Sequence, residues 1–307
     1  MISLKKTKNI KVIEIMKRNK NLGRKKTFKL KFGKGFITIK GHTFEEALRD
    51  FIPEDMCLGR TWFLDFSGVD IEGINLSGLK KLQRTYFSGA DMDGINLSQS
   101  DLRRSNFSGA IIDGGNLSGA NLEGCRFAGA LLRNVHFEGA NLTGCDFSGA
   151  WLVNCDFSGA DLSKTKFAGS KLENIKVYGA KFSDSDIRGA KISRLDSFQT
   201  NYSRSKFGSA TLENCSFYQD LFGYSKFIGV DLISSFFEAV ELIETDFAGA
   251  SPKKCSFKDI AWEQAINLEQ TVECDCAWIP KNIGLIDSLS VLFFTKNNIL
   301  VIDLYVF

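Results

Sequence analysis

The stretch NLEGCRFAGALLRNVHFEGANLTGCDFSGA (residues 121–150) decides the fold. It holds Cys125, His136 and Cys145, and Cys155 follows ten residues after Cys145. Thiols beside an imidazole suggest a metal site or a reactive centre. The spacing gives a different account. Leu122, Phe127, Leu132, Phe137, Leu142 and Phe147 recur every five residues, and Cys125, Ala130, Ala140, Cys145 and Ala150 hold a second series two residues earlier.

Outward from this stretch, the apolar series runs from Leu82 to Phe257 without losing phase. Of its 36 positions only Ser197 and Pro252 are not Leu, Ile, Val, Met, Phe or Tyr. Phe66, Ile71 and Leu76 precede it, separated by a one-residue insertion before Leu82. Trp262 extends it, and INLEQ (266–270) reads as one more unit displaced by a residue. The small-residue series has larger exceptions, among them Ile175, Leu195 and Asp220. Two residues after each apolar position Gly or Asn predominates, as at Gly109, Gly129 and Asn134; these types accept positive φ and let the chain turn. A period of five fits neither a helix nor a simple strand. It fits a coil that turns a corner at every unit.

GANLEGCRF (119–127) and GADLSKTKF (159–167) carry a pattern that resembles the pentapeptide-repeat family, A(D/N)LXX, over roughly residues 65–270. The resemblance implies an all-β fold, a right-handed quadrilateral parallel β-helix with four units per coil, in which the apolar and small series point inward. Residues twenty apart then stack. Phe87, Phe107, Phe127, Phe147 and Phe167 form one such ladder. About ten coils at ~4.8 Å each give a rod of about 45–50 Å. Such a rod needs capped ends.

The expected organisation is a disordered basic leader (1–26), a small α+β cap of hairpin plus helix (27–60), the β-helix (61–271) and a C-terminal hairpin-like capping segment (272–307). The alternation of Phe28, Leu30, Phe32, Phe36 and Ile39 around a Gly-Lys-Gly turn reads as a hairpin. Thr43 and Glu46 form a capping box for a helix with Phe44, Leu48 and Phe51 on one side. Apolar runs around Lys296-Asn297-Asn298 read as a terminal hairpin. At the two breaks, a bulge tucking Phe198 inward is expected beside Ser197, and a disturbed coil at Pro252.

Net charge is +3, but residues 1–40 hold 14 Lys/Arg against one acid, Glu14. Within the rod, residues 164–206 carry ten basic residues and four acids, with acidic segments on either side. Lys166, Lys171, Lys176, Lys181 and Lys191 are the candidate basic band. No apolar run has the length of a membrane span or of a cleaved signal. The expected location is the cytoplasm, or export through a specialised secretion system without a cleaved signal. The eight Cys are expected reduced there.

Little chemistry is expected. Cys125, Cys145, Cys155, Cys215 and Cys255 sit in the small series as buried spacers, and His136 faces outward, so no metal site is assigned. The Cys274–Cys276 pair lacks a second ligand pair and reads as packing or exposed thiols. No cofactor, metal or catalytic residue is assigned. What remains is surface. Ile111, Leu131 and Trp151, twenty apart, should form an exposed apolar strip, the candidate site for a protein partner. Cover by the N-terminal segment or by a second copy of the chain is the competing account. A homodimer through a rod end is also open.

The leading functional reading is a non-enzymatic protein-interaction scaffold, in its narrower form a bacterial secreted effector acting on a host protein. The layout of leader, small N-terminal region and rod resembles type III secreted effectors of enterobacteria. The alternative that the family resemblance supplies is a DNA-mimicking topoisomerase (gyrase) protection protein. The basic band and leader oppose that continuous acidic surface, and nucleic acid is not an expected partner.

Overall fold

In the computed structural model residues 62–80, 82–261 and 264–267 are described, with segments 8–14, 26–32, 35–43, 46–48, 276–280, 288–295 and 298–305. The readings placed on Phe44, Phe51, Trp262, Cys274 and the two hairpin turns lie outside the described residues.

The period of five becomes a parallel β-solenoid whose coils pair with a register of twenty. Ile111 pairs with Leu131, Leu131 with Trp151, and Trp151 with Lys171. On another side ten successive bridges connect Asp65, Tyr86, Asn106, Arg126, Asp146, Lys166, Asp186, Lys206, Lys226, Asp246 and Ile266. The Asp65–Tyr86 step spans 21 residues, which is the insertion read before Leu82. We name four faces by their inward residues: the first by Phe107 and Phe127, the second by Ile112 and Leu132, the third by Leu117 and Phe137, the fourth by Leu102 and Leu122.

Each unit satisfies its backbone with its neighbours. The Phe107 N–H donates to Arg126 O of the following coil (2.6 Å), and the Asn106 N–H to Thr85 O of the preceding one (2.9 Å). The corner is closed by the Ala110 N–H on Phe107 O (3.0 Å). It needs a left-handed residue, met by Gly109 at φ 65° and by Asn134 at φ 52°. The recurrent Asp or Asn before each inward residue braces the turn. Asn106 Oδ1 accepts from the Ser108 N–H (3.0 Å) and Asp156 Oδ1 from the Ser158 N–H (2.9 Å). These carboxylates are therefore structural parts of the repeat.

The core is a set of ring ladders. Phe107 and Phe127 stack with centroids 4.6 Å apart, Phe127 and Phe147 at 4.7 Å, and Phe137 and Phe157 at 4.7 Å. The ladders of the first and third faces meet edge to face, with Phe127 and Phe137 at 6.1 Å and 87°. Each buried ring contributes about 2–3 kcal/mol by leaving water, plus about 0.5–1.5 kcal/mol per aromatic pair. Outside, one corner carries an amide ladder. Asn174 Nδ2 donates to Asn154 Oδ1 (2.8 Å), Asn154 Nδ2 to Asn134 Oδ1 (3.0 Å), and Asn134 Nδ2 to Asp113 Oδ1 (2.7 Å).

The flanks add two small sheets. Lys26–Phe32 and Gly35–Gly41 pair antiparallel. Lys8–Glu14 pairs antiparallel with the first of these and parallel with Trp62–Asp65, where the solenoid begins. This differs from the expected disorder at residues 8–14 of the leader; 1–7 and 15–25 lie outside the described residues. Charge dominates that segment, but NIKVI within it alternates apolar residues, and a sheet edge at Trp62–Asp65 offers backbone partners. At residues 46–48 a helical turn follows Thr43, whose Oγ1 accepts from the Glu46 N–H (3.1 Å), while Glu46 Oε2 accepts from the His42 N–H (2.7 Å). Ser288–Thr295 and Asn298–Tyr305 form an antiparallel hairpin.

Both expectations at the breaks in phase are overturned. Ser197 points inward and Phe198 outward, 36% exposed, in a strand with unbroken register. The volume that Ser197 leaves is met by Tyr202, whose Oη lies 3.0 Å from Ser197 Oγ. No bulge is needed because a long side chain on the next face reaches the gap. Pro252 pairs in register with Leu232. Among the described residues its strand, Ser251–Lys253, pairs with Asp231–Ile233, and inward N–H groups of this repeat donate to the following coil, so this pairing does not use the missing N–H.

Candidate functional site

The second face presents the strip. Ile111 (43% exposed), Leu131 (partly buried) and Trp151 (44% exposed) lie side by side on three adjacent strands. The alternation that buries Ile112, Leu132 and Leu152 forces their predecessors outward. Two cations flank the indole: the Arg133 guanidinium carbon lies 5.9 Å and Lys171 Nζ 5.7 Å from the ring centroid. Such contacts contribute about 0.5–1 kcal/mol at exposed sites and hold the ring in a defined place. The face is thus apolar over three coils and basic over the next two, at Lys171 and Lys191.

The structure does not gather the basic band on one surface. Lys171 and Lys191 are neighbours on the second face. Lys166, Lys176 and Lys181 belong to the first, third and fourth faces, and all five are exposed. The period of five places them one corner apart, so they form a belt around the rod.

The opening residues separate as their phase requires. Cys125 and Cys145 stack inside, each with Sγ 3.0 Å from a carbonyl oxygen of the preceding coil, Leu102 and Leu122. Burial, with the Cys145 thiol beside it, pushes Cys125 well up. Burial pushes Cys155 and Cys215 up to about 12. Such thiols stay protonated and are poor nucleophiles. His136 is exposed on the opposite side of the backbone, with Nδ1 2.8 Å from Glu138 Oε1. Among the described residues no group of three or more His, Cys, Asp and Glu converges as a metal cage would. Cys276 is buried and disulfide-bonded, which corrects the reading of that residue as a reduced thiol. Proximity in space decides such pairing, and sequence spacing does not show it.

Two features escaped the sequence reading. On the third face Tyr178, Phe198 and Tyr218 stand exposed on consecutive coils, with Phe198 and Tyr218 stacked at 5.6 Å and Phe198 edge-on to Tyr178 at 6.4 Å. The Tyr178 hydroxyl donates to Asp196, and that bond pushes the phenol up to about 12. Period-five spacing of the residue after each inward position would have found this ladder. Inside the rod, Asp220 occupies a small-residue position and is fully buried. Its Oδ1 accepts from the Thr200 N–H (2.7 Å), while Oδ2 has no partner. Ser197, Tyr202 and Asp220 together make a polar cluster inside the rod, where the other buried polar residues are Ser and Thr. Loss of water pushes the Asp220 carboxyl up to about 7, opposed by the Thr200 bond and by Ser197 nearby.

A parallel solenoid of five-residue units, with small and large residues alternating inside, defines a class of scaffold. The family model for pentapeptide repeats matches residues 81–119, 120–159 and 160–194 in eight copies. Residues 81–194 thus carry the repeat of that family. Among solved structures, the chain resembles a trypsin-treated form of QnrB1, a plasmid-mediated fluoroquinolone resistance protein. Identity is 22%, covering 61% of this chain and 88% of that one, with a TM-score of 0.45. It also resembles HetL, a pentapeptide-repeat protein involved in heterocyst differentiation regulation from the cyanobacterium Nostoc sp. strain PCC 7120. Here identity is 18%, covering 72% and 93%, with a TM-score of 0.33. A third similarity is to Rfr23, a pentapeptide-repeat protein from the cyanobacterium Cyanothece 51142, at 26% identity over 34% of this chain and 85% of that one, with a TM-score of 0.34. No curated protein matches the chain. No helix among the described residues is long and apolar enough to cross a membrane.

Proposed function

We propose that the chain is a non-enzymatic protein-interaction scaffold whose second face binds a protein partner through Ile111, Leu131 and Trp151. One observation carries the reading: three adjacent strands set Ile111, Leu131 and Trp151 side by side at outward positions, with Ile111 and Trp151 exposed and Leu131 partly buried between them. An exposed Trp beside aliphatic side chains, rimmed by Arg133 and Lys171, has the composition of a binding hot spot. Nothing in the fold needs these side chains, since the same outward position on neighbouring coils carries Asp91 and Lys171.

A DNA-mimicking rod presents a continuous negative face. Lys171 and Lys191 on the second face, and Lys206 and Lys226 on the first, interrupt any such surface here. The effector form of the proposal adds that the rod meets its partner after export, with the basic N-terminal segment as the exported end.

The test compares affinity capture by the wild-type chain and by Trp151→Glu, with the sedimentation coefficient of each. An outward change on this face should leave thermal unfolding within about 0.5 kcal/mol. Partners retained equally by both proteins would remove the strip from consideration. A lowered sedimentation coefficient in the variant would identify a second copy as the occupant. A supercoiling assay with purified gyrase checks the alternative reading, and no relief of fluoroquinolone inhibition is expected.

A further inference from the structure

On the first face, the residues preceding the inward positions read Asp146, Lys166, Asp186, Lys206, Lys226 and Asp246 on consecutive coils. Signs alternate until Lys206 and Lys226, which bridge directly, one strand spacing of about 4.8 Å apart. Like charges opposite one another destabilise a sheet. Among the described residues neither lysine has an ion pair. Of the two neighbouring carboxylates, Asp186 is taken by Arg188 through two hydrogen bonds of 2.8 and 2.6 Å, and Asp246 Oδ1 accepts from the Ala248 N–H (3.0 Å) and Asn267 Nδ2 (2.8 Å).

The residues that follow the inward positions on the same coils are Ala168, Arg188, Gly208 and Ile228. Gly208 stands out because it is not a corner glycine: the corner is Ser209, at φ 57°. A Cβ on Gly208 would lie 3.5 Å from Ile228 O and 3.7 Å from Arg188 Cγ, which is ordinary contact. Neither the backbone nor a close approach requires glycine at this turn position. Its effect is to leave space. A hollow of about 610 Å³ is lined by Ala168, Arg188, Gly208 and Ile228 of four successive coils and by Lys206 and Lys226. Ile228 is 42% exposed beside it.

We propose that this hollow binds an acidic peptide segment of a protein partner. Its carboxylates meet Lys206 and Lys226, and an apolar side chain lies over Gly208 against Ile228. The charge complementarity is specific in extent. The unpaired basic stretch is two coils long and ends at Asp186 and Asp246, too short to follow a phosphate backbone. No aromatic ring lines the hollow to stack on a base. This surface is on a different face from the Trp151 strip, and the proposal stands without it.

The experiment uses the full chain and fluorescence anisotropy with a labelled peptide of sequence Glu-Glu-Leu-Glu-Glu-Leu-Glu. The comparison probes are its Gln-for-Glu counterpart and a labelled oligothymidylate of equal length. The acidic peptide is expected to bind, and the neutral one to bind at least about tenfold more weakly. Lys206→Glu with Lys226→Glu should weaken the acidic peptide by about tenfold or more. Gly208→Ile fills the hollow while keeping every charge and should cause a comparable loss. Gly208→Ser, a residue found at this position on other coils as Ser108 and Ser148, should keep binding and shows that the site tolerates a side chain. Absence of acidic-peptide binding, unchanged affinity in Gly208→Ile, or tighter binding of the oligothymidylate would each overturn the proposal.

Discussion

Asp220→Asn is expected to stabilise the rod by an amount that depends on pH. The carboxyl sits in the core with Oδ2 unpartnered, and burial lifts it from the ordinary 3.8 to about 7. In the unfolded chain it ionises near pH 4, whereas the folded rod keeps it protonated until about pH 7. An acid whose folded value is the higher one imposes no penalty below pH 4. The penalty grows as pH rises from about 4 to 7 and is constant above. A separation of about three pH units corresponds to about 4 kcal/mol at 1.36 kcal/mol per unit, an upper figure for a group with polar neighbours. Asn keeps an oxygen for the Thr200 N–H and has no charge to bury. Urea unfolding of both proteins from pH 4.5 to 8 measures the effect. The variant should gain little at pH 4.5 and up to about 4 kcal/mol at pH 8. Tyr202, Cys215 and Asp196 are the other titratable groups that act on Asp220 or Tyr202, and they are common to both proteins. Parallel stability profiles across that range, or a variant less stable at pH 8, would refute the reasoning.

Further outcomes follow from the same geometry. Phe127→Ala removes a ring stacked between Phe107 and Phe147 and should cost about 3–5 kcal/mol in a denaturant titration. Asn154→Ala breaks two rungs of the amide ladder at φ 54° and should cost about 1–2 kcal/mol; Asn154→Gly loses the same rungs but relieves the backbone and should cost less. Cys125, Cys145, Cys155, Cys215 and Cys255 should resist Ellman's reagent in the folded chain and react on unfolding. His136→Ala should shift stability by no more than about 0.5 kcal/mol, since its one contact is an exposed pair with Glu138.

The sequence made the repeat legible because period, inward direction and vertical neighbours all follow from one number. Once Phe107 is inward, Phe127 is its neighbour and Asn106 faces out. The breaks were harder. Whether Ser197 leaves a void depends on the reach of Tyr202 from the adjoining face, which spacing along the chain does not encode. Pro252 keeps its register with Leu232 because the inward N–H of a unit is not the group that bonds the preceding coil, a property of ladder direction. The basic belt looked like a patch because a linear reading does not separate faces, although the period would have sorted Lys166 from Lys171. Gly208 was hidden among turn glycines, and its place one residue early in the unit was the available signal. Lys8–Glu14 was masked by its charge, which reports on solvation and not on backbone pairing.

The register of twenty has a consequence for the rod as a measuring device. Trp151 and the Lys206–Lys226 pair sit on different faces, and the 55 residues from Trp151 to Lys206 fix their axial separation at a little under three coils, about 13 Å. Removing or adding one coil between them would translate one surface past the other by a single step without rotating either. Distances between docking surfaces on such a chain are therefore quantised, and a change in length by any number not divisible by twenty would turn one surface away from the other.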